Sequence, residues 1–224
     1  MKNKRESKFL PVMTSILTAL AVVAGSIAVP ILCRPFYYAH ITPLQMRLRV
    51  RLTEEQVRET YNEVMDYCLG LTEDFSLRHL VWSSNGAEHF ADVQRLFLLD
   101  LKVLIAALIG LVILWVAARC RNIQPASIKG HSPGFWAVTG LAAVFAVLGL
   151  LAALDFDRFF TAFHAVFFPG KDNWIFDPEV DPVIDMLPQV FFRNCAILVL
   201  SLILTACILC ILIDRYHRKK SIGK

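Results

Sequence analysis

Four apolar runs dominate the sequence: Phe9 to Cys33, Leu96 to Ala118, Gly134 to Leu154 and Val190 to Ile213. A helix of about 20 residues, rising about 1.5 Å per residue, crosses the roughly 30 Å hydrocarbon core of a bilayer. Each run is long enough to do so, and a helix satisfies its own backbone polar groups where no water can. The composition agrees, since 56% hydrophobic residues and a mean hydropathy of +0.54 exceed what a soluble domain carries. The chain reads as an all-α membrane protein with four transmembrane helices. It forms a single integral membrane domain over residues 1–224, with a small extracytoplasmic cap built by two outer loops, 34–95 and 155–189.

Lys2, Lys4, Arg5 and Lys8 precede the first run in the manner of a signal peptide. The run is too long for a signal h-region, and no small-residue cleavage site follows it, so it reads as an uncleaved anchor. Cys33 follows Ile31 and Leu32 where a lipidation signal requires a small residue, so the chain is not itself a lipidated substrate. Orientation follows from the short basic segments. The four residues above, Arg119, Arg121 and Lys129, and Arg215, Arg218, Lys219, Lys220 and Lys224 lie on one side with only two acids, Glu6 and Asp214. The positive-inside rule puts that side, and both termini, in the cytoplasm. The net charge of +4 is then a topology signal and implies no nucleic-acid partner.

The outer segments carry local signals. Thr53 with Gln56 forms a capping-box pattern, and Val57, Tyr61, Val64 and Cys68 recur at helical spacing, which predicts an amphipathic helix from Glu54 to Leu69. Leu77 to Ser84 has the composition of a short strand, and Ser84 to Gly86 reads as a turn. The six cysteines read as structural; Cys207 and Cys210 lie in an apolar helix, and Cys33 and Cys68 are the two that an oxidising exterior would allow to pair.

Chemistry concentrates on two histidines. In Gly86 to Leu101, His89, Asp92 and Leu96 share one helical face, which puts His89 about 10 Å above Leu96 and spaces Asp92 to orient an imidazole. His164 lies among Phe160, Phe167 and Phe168, followed by Trp174 and by the acids Asp177 and Asp181. Either histidine alone also fits a structural role, with Asp92 paired to Arg95. Together, near the outer ends of spans and beside acids, they suit proton transfer near neutral pH. Asp100 in the second span is read as facing the bundle, with Arg193 and Asn194 as partners. There is no zinc helix, nucleophile elbow or phosphate loop, so no metal, nucleotide or other cofactor is expected.

Four stretches carry a resemblance. "RPFYY" after the first span, "YNEVMDYCLG" in the outer helix, "GAEHFADVQRLF" entering the second span and "FFTAFHAVFFPGKDNWIFDPEVDPVIDMLPQVFF" before the fourth resemble the lipoprotein intramolecular transacylase (Lit) family of Gram-positive bacteria, from about Pro35 to Phe192. Cys68 departs from the apolar residue expected there. The resemblance implies an enzyme of the bacterial cell membrane, working at the outer leaflet on diacylated lipoproteins amid membrane lipid. It implies movement of the sn-2 fatty acyl chain of a diacylglyceryl-cysteine to the α-amino group of that cysteine, leaving a lyso-form lipoprotein. It also implies that His164 and His89 are the catalytic residues, either of them acting as the base. On this view Asp92 orients His89, and Tyr37, Tyr38, Trp174, Asp177 and Asp181 hold the cationic N-terminus and the glycerol. The rival reading is a non-catalytic tetraspan subunit whose cap binds a partner protein.

Overall fold

The computed structural model describes residues 5–7, 9–121, 123–125 and 130–222. Among them, four helices are long and apolar enough to cross a membrane: α1 (Phe9–Leu32), α5 (Ser84–Cys120), α6 (Pro133–Leu154) and α9 (Gln189–Ile222). The shorter helices are α2 (Arg34–Ile41), α3 (Met46–Val50), α4 (Glu54–Cys68), α7 (Phe156–Phe167) and α8 (Val183–Met186). The only strands among the described residues are β1 (Arg5–Ser7) and β2 (Ile123–Pro125), paired in parallel. Lys2, Lys4, Lys8, Lys129 and Lys224 of the basic segments, and the side chain of His217, lie outside the described residues.

The chain forms two compact units. One comprises Met1–Ile27, Leu101–Leu150 and Leu200–Lys224, and thus most of the apolar length of the spans. Its side chains point largely outward, with Ile105, Leu108, Ile109, Val112 and Ile113 on α5 and Val144 and Val147 on α6 all exposed. An apolar exterior of this kind suits lipid and not water. Asp214 of α9 is buried in this unit, where it accepts hydrogen bonds from His131 Nδ1 at 2.9 Å and the Ser132 N–H at 2.8 Å.

The other unit comprises Ala28–Asp100 and Leu151–Val199, and within it the two long inter-span segments pack together. The capping box forms as expected: Gln56 N–H donates to Thr53 Oγ1 at 3.2 Å and Thr53 N–H to Gln56 Oε1 at 2.9 Å. Val57, Tyr61, Val64 and Cys68 are all buried along α4. Tyr37 of α2 stacks on Tyr61 with ring centroids 3.6 Å apart and donates its hydroxyl to the Met186 carbonyl.

Three local expectations are corrected. Residues 77–83 form no strand, and Ser84 to Gly86 are the first turn of α5 instead of a separate turn. Ser83 explains the difference: its carbonyl accepts the Ala87 N–H and its hydroxyl oxygen accepts the Gly86 N–H, so it acts as the helix cap. Neither Arg193 nor Asn194 bonds Asp100, whose Oδ2 is buried without a partner, while Arg193 is exposed. Cys33 is exposed, Cys68 is buried, and both are free thiols.

Candidate active site

The site lies wholly within the second unit and begins with the length of α5. Its 37 residues span about 55 Å, well beyond the roughly 30 Å of a hydrocarbon core. Residues 84–95 therefore precede the apolar stretch that starts at Leu96. They carry Glu88, His89, Asp92 and Arg95 along neighbouring turns. The second contributor, α7, is capped by Asp155, whose side chain accepts the Arg158 N–H at 3.0 Å, and it carries His164 in its last turn. Gly170, at φ 73°, takes a left-handed conformation that turns the chain back after Pro169. Lys171, Asn173 and Trp174 thereby come against α5 and α7.

His89 and His164 meet with ring centroids 6.0 Å apart, and each is only 7% exposed. Aromatic rings wall them in. Trp174 stacks on His164 at 4.4 Å and Phe160 lies 4.3 Å from it, while Phe168 and Phe176 approach His89 at 5.0 and 5.4 Å. The Trp174 indole N–H donates to the Lys171 carbonyl at 3.1 Å, which fixes the ring that covers His164.

Hydrogen bonding sets the tautomer of His164. Its Nδ1 lies 2.8 Å from the Phe160 carbonyl, which can only accept, so Nδ1 carries the proton and Nε2 the lone pair. Burial lowers the pKa of His164, and the Phe160 carbonyl opposes that only in part. The pKa of His89 is lowered too, by burial and then by the neighbouring His164, against smaller opposing effects of Asp92 and Asn173. Two neutral imidazoles therefore share one apolar enclosure.

Asp92 supports this pair from the polar side. It accepts hydrogen bonds from Lys171 Nζ at 2.5 Å, Arg95 Nη1 at 3.0 Å and Asn173 Nδ2 at 3.3 Å. Burial raises its pKa, but the bonds from Lys171 and Asn173 together with the charges of Lys171 and Arg95 outweigh it and leave the carboxyl below its ordinary value. A cavity of about 200 Å³ opens beside it, lined by Glu88, Ala91, Asp92, Arg95 and Lys171. Nδ1 of His89 and Oδ1 of Asn173 are both buried without a hydrogen-bond partner: Asn173 is near enough to favour the imidazolium, yet the pair does not close into bonding geometry.

Of the residues singled out in the sequence, His89, His164, Asp92 and Trp174 come together. Tyr37 does not: it is fully buried, with its hydroxyl spent on Met186. Tyr38 donates to Asn62 Oδ1 at 2.6 Å and lies under the Arg58 guanidinium. Asp181 is buried and accepts two hydrogen bonds from Ser83, while Asp177 is exposed and caps its own turn by accepting the Glu179 N–H. Both tyrosines and Asp181 thus sit in the framework. Lys171 and Asn173 were missed. The one signal for them is the Pro169-Gly170 turn, which reverses the chain immediately before both. Among the described residues no three His, Cys, Asp or Glu side chains gather to hold a metal ion.

The family model for "Lipoprotein intramolecular transacylase Lit" matches residues 12–192. The chain belongs to the Lit family. Its fold is that of the membrane-integral Lit from Bacillus cereus, with a TM-score of 0.84 at 26% identity, covering 96% of this chain and 97% of that one. Two variants of the B. cereus protein, with one histidine changed to arginine or to alanine, match with TM-scores of 0.77 and 0.78 at 25% identity. They cover 96% of this chain and 94% and 95% of theirs. No curated protein sequence matches significantly. The protein is therefore a multi-pass membrane transacylase, which sets aside the non-catalytic reading.

Proposed function

We propose that this Lit enzyme moves the sn-2 acyl chain of a diacylglyceryl-cysteine lipoprotein to the α-amino group of the same cysteine. The observation that carries this reading is the pair of buried imidazoles, 6.0 Å apart, with Nε2 of His164 bearing a lone pair. The substrate supplies its own nucleophile, an amine, so no serine or cysteine nucleophile is required of the protein. The amine nitrogen attacks the ester carbonyl, forming the N–C bond. The C–O bond to the sn-2 carbon's oxygen breaks, and the proton lost by nitrogen ends on that oxygen as a hydroxyl. Nε2 of His164 takes the proton and returns it, the kind of transfer that typically contributes about 10² to 10⁴-fold. His89, beside it, is its oxyanion or proton partner. Amine and ester are held on one cysteine, so orientation lowers much of the barrier, and the aromatic walls suit acyl chains.

The reading includes cytoplasmic termini and a site at the outer leaflet, supported by the distribution of Lys and Arg. Asp177 is exposed and free to attract the substrate ammonium; Tyr37, Tyr38 and Asp181 contribute by holding the frame. The test is tandem mass spectrometry of a synthetic diacylated lipopeptide incubated with purified enzyme. The expected product has unchanged mass, an N-acyl cysteine and a free sn-2 hydroxyl. Release of free fatty acid in place of that isomer would make the protein a hydrolase and overturn the reading.

A further inference from the structure

We propose that Asn173 is a positioning residue for His89: anchored to Asp92 through Nδ2, it presents Oδ1 to the Nδ1–H of His89 and leaves Nε2 of His89 as a proton acceptor. The catalytic consequence rests on the acyl-transfer reading above; the contact itself does not.

Two complementary atoms, Nδ1 of His89 and Oδ1 of Asn173, are both sealed from solvent without a partner in one small cluster. Unmet polar atoms in such surroundings are costly, and each is what the other lacks. The orientation of the amide is decided by Asp92, which as a carboxylate only accepts. Nδ2 of Asn173 must face it, so Oδ1 is the end left for another donor. Asp92 does not serve His89 directly: its hydrogen bonds go to Lys171, Arg95 and Asn173, and Nδ1 of His89 is left without a partner. Asn173 is 5% exposed, and it comes from the loop that Gly170 turns back onto α5. Asn173 is also close enough to the ring to favour its protonated form.

This contact decides between the two roles left open for His89. With Nδ1 protonated and Nε2 bare, a neutral His89 cannot donate to an oxyanion. It can accept a proton at Nε2, and the resulting charge is then stabilised through the Asn173 carbonyl, with the Asp92 carboxylate behind it. Asn173 thus does for His89 what the Phe160 carbonyl does for His164, and both rings offer Nε2.

The test uses full-length protein labelled with ¹⁵N-histidine in detergent micelles, with the His89 signals assigned by their loss in His89→Gln. The expected wild-type state is the Nδ1–H tautomer, a readout that needs no variant. Asn173→Leu should give a tautomer mixture, lower kcat by roughly 10 to 100-fold and leave KM for a diacylated lipopeptide nearly unchanged. A wild-type Nε2–H tautomer, or an unshifted tautomer in Asn173→Leu, overturns the contact whatever the rate. A shifted tautomer alongside full activity of His89→Ala upholds the contact and overturns the catalytic reading of His89 instead.

Discussion

Ser83 gives both its backbone N–H and its hydroxyl to the carboxylate of Asp181, at 2.7 Å each, across 98 residues of chain. The contact fastens the start of α5, which carries His89, to the segment that follows α7, the helix that carries His164. Gly86 is pressed against the same carboxylate, and a Cβ there would stand 2.5 Å from Oδ1. Asp181→Ala removes two hydrogen bonds from half-buried Ser83 to a buried carboxylate and should cost about 1–3 kcal/mol. Both it and Gly86→Ala should lower Tm in detergent, while Asp177→Ala, at an exposed turn, should not. Thermal unfolding checks this, and a wild-type Tm in the first two variants would show that the strut carries no load.

The pH dependence follows from burial of the imidazoles. His164 has a folded pKa below the ordinary value of about 6.5. Between that value and the folded one, the unfolded chain binds more protons than the native protein, so stability falls as pH drops through this window. His89 is shifted in the same direction and acts with the same sign. Tm should therefore decline below about pH 6.5, and replacing His164 by Gln should flatten the slope. A wild-type Tm constant through that range would mean that neither ring is held neutral.

Much of the fold was legible because hydrophobic length and capping are local properties. The four spans, the capping box at Thr53 and the buried stripe of α4 all follow from short windows of sequence. His89 and His164 were legible as candidates through their chemistry. Their meeting was not, since 75 residues separate them and the loop is closed by the Gly170 turn, the Ser83–Asp181 contact and the bonds from Lys171 and Asn173 to Asp92. The tyrosines misled for a related reason. In sequence Tyr37 and Tyr38 follow a span as interfacial aromatics do, but Tyr61 and Met186 claim the first, and Asn62 and Arg58 the second. Asn173 was illegible because an amide between an aspartate and a tryptophan gains meaning only when Asp92 and His89 are beside it.

Orientation can be tested at exposed positions. In a cysteine-free background, Asp172→Cys and Arg121→Cys place thiols in the two kinds of segment that the charge distribution assigns to opposite faces. An impermeant maleimide added to intact cells should label Asp172→Cys and leave Arg121→Cys unlabelled until the membrane is opened. The reverse pattern would put the histidines on the cytoplasmic side and remove the site from the outer leaflet.

The two histidines should fail together. Each ring offers Nε2 to one enclosure, and acid–base catalysis of the proposed kind is typically worth about 10² to 10⁴-fold. His164→Ala and His89→Ala should each lose at least the lower figure in kcat while still accumulating in the membrane. His79→Ala is the control: its ring is bonded to Glu59 at 2.7 Å, outside the histidine cluster, and its loss should leave transfer near wild type. If both rings serve one transition state, the double variant should be little slower than the poorer single variant, because groups acting as a unit are not additive. Initial rates of N-acyl product formation measure all four variants. Full additivity in the double variant would instead assign the two rings to separate steps, and a near-normal rate in either single variant would remove that ring from the mechanism.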